Sequence, residues 1–437
     1  MKKVIKTLSV ALLLQCSFSA NIIADELKVK IGGLFDFRGA FVSPDKTKYK
    51  TSGVKTSVTK HNDSFGFYSN GNVFIDVSNS ISDTTSYGAK MSVLATTRNN
   101  RNAPTFLYFT SPVGKIELGS NKSAFKGLGI GGYTNACNSD FSDWIELDPN
   151  KVDVKYSDTN FSFLDSKART TGETEYSRKI TYYTPEISGF QAGISYIPDL
   201  SNIGYGLPKD DVFYTPVTYF YQEIDAAGNK NGATKKVPYS FSVKNAIAGG
   251  VSFKHEFDSD IAIKISGVVE KGDVVVKQDD NNVNNIKEKD KKIEDLKMDP
   301  DDQKKYQGAK FTNLMNYMIG GEVKFKDFSL AASYTNAGDS FTSKELDKDN
   351  NTKSDCFIVG ARYNFKDLGT SLHYYTSDTK KNKFNAITFA LDYKLAQGLT
   401  PYAEFTRYNT EGYNPVKPDE KDTQKGSVFI LGARLAF

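Results

Sequence analysis

The chain has few of the residues that anchor catalysis, metals or cross-links. It contains three histidines, three cysteines and one tryptophan in 437 residues. His61, His255 and His373 show neither metal-ligand spacing nor a shared motif, so no metal site and no cofactor is expected. No motif surrounds a serine or cysteine nucleophile, which argues against an enzyme. Cys16 lies in the leader described below, and Cys137 and Cys356 stand too far apart to form a disulfide framework. Beyond residue 24 no run of eighteen apolar residues occurs, which excludes a transmembrane helix. Charge of one sign is lacking too, since 56 basic residues face 52 acidic ones. The field is too weak to point to nucleic acid as a partner.

What is abundant is aromatic and alternating. Tyr and Phe number 25 and 30, against 13 prolines. These rings favour pleated, half-buried surfaces and membrane interfaces. The N-terminus reads as a secretory signal. Lys2, Lys3 and Lys6 precede the short apolar stretch TLSVALLLQCSFSA. Cleavage is expected after Ala24, giving a leader over 1–24 and a mature domain over 25–437. Cleavage after Ala20, or a lipoprotein cut before Cys16, are the alternatives. Loss of the three lysines leaves 53 basic against 52 acidic residues, so the formal charge falls from +4 to +1.

Period-two alternation dominates the rest. In LKVKIGGLFDFRGAF, Val29, Ile31, Phe35, Phe37 and Phe41 share one face, and Lys28, Lys30, Asp36 and Arg38 the other. Such a strand fits a wall with lipid on one side and water on the other. SFGFYSNGNVFIDVSN and SYGAKMSVLATTR repeat the pattern, turning Tyr68, Phe74, Lys90 and Arg98 to the polar side. Hairpins are expected to turn at 111–114, 185–189, 258–260, 326–327, 366–369 and 396–398. Counting them gives about 16 strands, an even number as in bacterial barrels. Long polar connections over 43–62, 121–176, 199–239, 271–310, 338–355 and 409–425 alternate with these turns. Short turns on one rim and long loops on the other characterise an all-β, antiparallel up-and-down transmembrane barrel. The most charged loop could carry a short helix around Glu288 and Lys292. Its Asp299, Asp301 and Asp302 lack EF-hand spacing.

Several segments resemble the general porins of Gram-negative outer membranes. ADELKVKIGGLFDF looks like that family's first strand, and VGKIELGS like its fifth strand leading into a long loop. KITYYTPEISGFQAGISYIPD and ALDYKLAQGLTPYAEFTRYN look like two of its hairpins. The terminal Phe437, after alternating Phe429, Leu431, Ala433 and Leu435, is similar to the aromatic signal read by the barrel-assembly machinery. The resemblance implies a homotrimer in outer-membrane lipid and lipopolysaccharide, passing small hydrophilic solutes and ions by diffusion. It also implies a third external loop folded into the lumen. That loop would set Asp140, Asp143, Glu146, Asp148 and Asp153 against a basic wall of Lys28, Lys30, Arg38, Lys90 and Arg98. One departure stands out: Ser120 occupies the position after Leu-Gly where the family usually carries Arg, with Lys122 two residues on. An adhesin or structural barrel with a filled lumen, and a sugar-specific channel, are the competing readings.

Overall fold

The computed structural model describes residues 27–44, 65–94, 104–132, 177–200, 214–225, 227–257, 260–278, 299–343, 345, 354–379, 382–413 and 421–437. They form seventeen strands. The first seven are β1 (Lys28–Pro44), β2 (Phe65–Ser82), β3 (Thr85–Leu94), β4 (Thr105–Ser111), β5 (Gly114–Ser120), β6 (Arg178–Tyr183) and β7 (Phe190–Asp199). Then come β8 (Tyr214–Ile224), β9 (Lys230–Phe257), β10 (Ile261–Gln278), β11 (Leu314–Phe325) and β12 (Phe328–Gly338). The last five are β13 (Ser354–Phe365), β14 (Leu368–Thr379), β15 (Asn382–Tyr393), β16 (Leu399–Tyr413) and β17 (Lys421–Ala436). Two helices interrupt them, α1 (Ala124–Leu128) and α2 (Pro300–Gln307).

Each strand pairs antiparallel with its neighbours, and β1 pairs with both β2 and β17, so the sheet closes on itself. Closure removes every free edge within the wall, which a barrel in lipid requires. Sixteen strands make the ring, as the alternation predicts. The seventeenth, β8, stands outside it. β7 pairs with β9 from Phe190↔Phe253 to Asp199↔Lys244, and β8 pairs with the part of β9 beyond that, from Tyr214↔Phe241 to Ile224↔Lys230. β8 thus continues along the edge that β7 leaves.

This hairpin lies in the stretch 199–239 that the sequence reads as a polar loop. Its strand character is hard to see because KNGATKKVPYSF lacks a clean apolar face. Backbone pairing alone makes the ladder, and it requires no apolar period. Similarly, β10 extends to Gln278 and α2 begins at Pro300, within the stretch 271–310 that the sequence reads as one polar connection. The helix expected around Glu288 and Lys292 lies outside the described residues. The expected hairpin turns all occur where the sequence places them.

Facing follows parity. Phe35, Phe37 and Phe41 are exposed on the outer surface, while Asp36, Arg38, Ala40 and Val42 are buried on the inner one. The same holds around the ring, with Leu372, Ile387, Phe389, Phe405 and Leu431 outward. An apolar exterior of this extent is stable only against lipid. Rings cluster outside on the first strands: Phe41 lies 4.5 Å from Phe65, and Phe37 stacks on Phe67 at 5.5 Å.

The rim of short turns is stitched together. The carbonyls of Gly189, Asp260, Asp327, Asp367 and Gly398 accept hydrogen bonds from Lys254, Lys326, Asn364, Lys394 and Ala436, each on a following strand or turn. Phe437 finishes the series by exchanging backbone bonds with Gly33, at 2.8 and 3.1 Å.

Candidate functional site: the lumen and its internal strap

The inner wall is filled unevenly. After β5 the chain turns into the barrel instead of away from it. Glu117 anchors that turn: Lys115 Nζ and Asn121 Nδ2 each donate to it at 2.5 Å, and Lys179 Nζ donates to the Asn121 carbonyl. α1 follows, burying Phe125 and Leu128 against Ile197, Ala248, Val268, Leu314 and Met318 on the lumenal faces of β7, β9, β10 and β11. Apolar burial of this kind holds the loop to one side of the lumen.

From the start of α1 onward the backbone runs as a strap across the wall. Ala124 N donates to Ser195 Oγ at 2.8 Å, Ile130 N to Ser266 Oγ at 2.9 Å and Gly132 N to Ser333 Oγ at 2.9 Å. These serines sit on β7, β10 and β12 and are buried. Ser266, Gly320 and Ser333 are side by side in register on β10, β11 and β12. The glycine between the two hydroxyls is required by contact. A Cβ on Gly320 would collide with the Ile130 carbonyl oxygen, and one on Gly360 would come within 2.7 Å of the Gly132 oxygen. The strap's N–H groups therefore find hydroxyls, while its carbonyls rest on bare backbone.

Among the described residues no loop covers the opposite wall. Tyr68, Asn70, Asn72 and Asp76 on β2 are half-buried, and Phe74 is 43% exposed on the lumenal face. Lys90 on β3 keeps 45% of its side chain exposed while pairing with Asp76 at 3.3 Å. Tyr108 donates to the same carboxylate at 2.9 Å.

The expected basic wall divides in two. Lys28, Lys30 and Lys90 are exposed. Arg38 is 3% exposed, with its guanidinium 4.5 Å from the Tyr68 ring centroid and its Nε 3.8 Å from Asp36. Asp36 in turn accepts from Tyr402 of β16 at 2.8 Å, which joins side chains across the closing strand β17. Arg98, Asp140, Asp143, Glu146, Asp148 and Asp153 lie outside the described residues, as do Cys137 and His61. Phe437 sits at the seam beside Gly33.

Sequence reasoning misses Glu117, Lys179 and the serine row. Parity in GKIELGS and RKITYY would have turned Glu117 and Lys179 inward. No local pattern marks a serine that meets a loop 136 residues away.

The comparisons agree with this architecture. A family model described as Gram-negative porin matches residues 8–413. An uncharacterized protein of Rickettsia conorii is 27% identical over 437 aligned residues, spanning 94% of this chain and 93% of the relative. Another, from Rickettsia felis, is 27% identical with both chains fully covered. Among solved structures, an anion-selective porin from Comamonas acidovorans superposes with a TM-score of 0.52 at 15% identity, covering 94% of this chain and all of that one. A second porin gives 0.50 at 12% identity with the same coverage. With a closed barrel of sixteen staves and a family match over nearly the whole length, the chain belongs to the Gram-negative porins of the outer membrane.

Proposed function

We propose that the protein is a water-filled diffusion channel for small hydrophilic solutes and ions, acting without catalytic groups. One observation carries this reading: the connection after β5 enters the barrel and is strapped to one wall over its described residues, 121–132, while Lys28, Lys30 and Lys90 on the lumenal faces of β1 and β3 stay exposed among the described residues. A pore so built selects by radius and by the charges on its walls. Purified protein in a planar bilayer should give stepwise conductance. Folded protein without channel activity would favour the filled-lumen barrel instead.

The wall charges proposed to set ion preference are Lys28, Lys30 and Lys90, with Arg38 and Arg98 contributing. The later part of the strapped loop supplies Asp140, Asp143, Glu146, Asp148 and Asp153 as the opposing group. Replacing Lys30 and Lys90 with Gln should raise cation over anion permeability severalfold. A unit charge acting across a few ångströms of water has an effect of that size. Replacing Asp140, Asp143 and Glu146 with their amides should move the reversal potential the opposite way. An unchanged potential in the second case would mean that these carboxylates do not face the pore.

The protein is further proposed to be exported by a leader over 1–24 and to function as a homotrimer in lipid and lipopolysaccharide. Phe437 is proposed as the residue read by the assembly machinery.

A further inference from the structure

The open wall holds a cleft of about 410 Å3 on the lumenal side of β1 to β4. Its size lies in the lower part of the range for small-molecule sites. Two register rows build it: Lys30, Asp76, Lys90 and Phe106 in one, and Gly32, Phe74 and Ser92 in the next.

The chemistry of these rows is unusual for a water-facing wall. Phe74 presents an open ring where parity calls for a polar side chain, and the half-buried Phe106 sits beside Lys90 in register. The charges do not cancel. Asp76 already receives Lys90 and the Tyr108 hydroxyl. Among the described residues no carboxylate lies within ion-pair distance of Lys30. Among its described lining side chains, two ammonium groups and one carboxylate leave a net charge of about one positive unit.

We propose that this cleft is a solute subsite for small monoanions with a flat apolar body, of which aryl carboxylates are the simplest. The carboxylate pairs with Lys30, and the ring lies against Phe74 and Phe106. A neutral sugar would leave the Lys30 charge unanswered. A dianion would bring more charge than the cleft has to match. The cleft's role in transport rests on the lumen being a passage, as proposed above.

The test is equilibrium dialysis of benzoate against the folded, detergent-solubilised protein, corrected for a micelle blank. Benzyl alcohol and acetate serve as the two half-ligands. Benzoate should bind saturably at one site per chain, and each half-ligand about tenfold more weakly or worse. Phe74→Ser and Lys30→Gln, each checked for the unheated barrel's shifted gel mobility, should each weaken benzoate by about tenfold. Absence of saturable binding, equal binding of acetate or benzyl alcohol, or insensitivity of a folded variant would each overturn the subsite. Conductance of the same preparations without benzoate tests the channel separately. Binding without conductance sinks the passage and leaves the site; conductance without binding does the reverse.

Discussion

Replacing Gly320 with valine is expected to give a spread of conductance levels with frequent closures, where the unaltered barrel, as the proposed channel, gives one level. The cause is local. The Ile130 carbonyl lies where the new Cβ must go, and the neighbours on either side are the two serine hydroxyls that hold the strap. The strap cannot yield at Ile130 without lengthening both bonds. Each bond contributes about 0.5–1.5 kcal/mol, and overpacking adds about 1–3 kcal/mol. The loop then moves in the lumen instead of resting on the wall. Gly321→Val is the control, because that position on the same strand turns away from the strap and a Cβ there meets the Lys264 oxygen at 3.2 Å and the flexible Ile265 side chain at 4.0 Å. Single-channel recording of both variants decides the matter. A Gly320→Val channel with one steady level would show that the strap does not limit the pore.

The second large effect concerns stability. Asp392→Ala should destabilise the barrel by about 3–5 kcal/mol. Arg362 on β13 reaches over β14 to grip Asp392 on β15 with two bonds, at 2.6 and 3.0 Å, and its Nε donates to Asn364 at 2.8 Å. The side chains are 13% and 4% exposed. Removing the carboxylate strands a guanidinium in a place that water hardly reaches, and that penalty exceeds the loss of the bonds themselves. A double change, Arg362→Met with Asp392→Leu, should recover most of the loss, since neither charge then remains. Urea-driven unfolding from lipid vesicles measures both. If the double variant is as unstable as Asp392→Ala alone, the pair's contribution is not electrostatic.

How much of this was legible in the sequence depends on whether the signal is local. The wall was legible, because lipid on one side and water on the other impose a two-residue period that each strand carries by itself. LKVKIGGLFDFRGAF shows it without reference to any other segment. The short turns were legible for the same reason, since residues such as Lys326, Lys366 and Gly398 sit at positive φ between two alternating runs. The β8 hairpin was not, because KNGATKKVPYSF shows no two-residue apolar period, and the backbone pairing that makes it a strand leaves no mark in the residues. The lumenal strap was half legible. The resemblance implied an inward loop, but only the fold shows that Ser266, Gly320 and Ser333 form one row. Of the wall charges, parity gave the side for Lys30, Lys90 and Arg38. It could not reveal that Arg38 is spent on Asp36 and Tyr68 while Lys30 stays open.

The stitched rim of short turns has a consequence for how the barrel is closed. Its stitches from Gly189 onward bind a residue to one further along the sequence, and the closing one alone runs back, from Phe437 to Gly33. The rim is a zip whose clasp joins Phe437 to Gly33. Because this exchange uses only backbone groups, a change of the Phe437 side chain leaves both bonds available, so the seam can still close where the aromatic ring is lost.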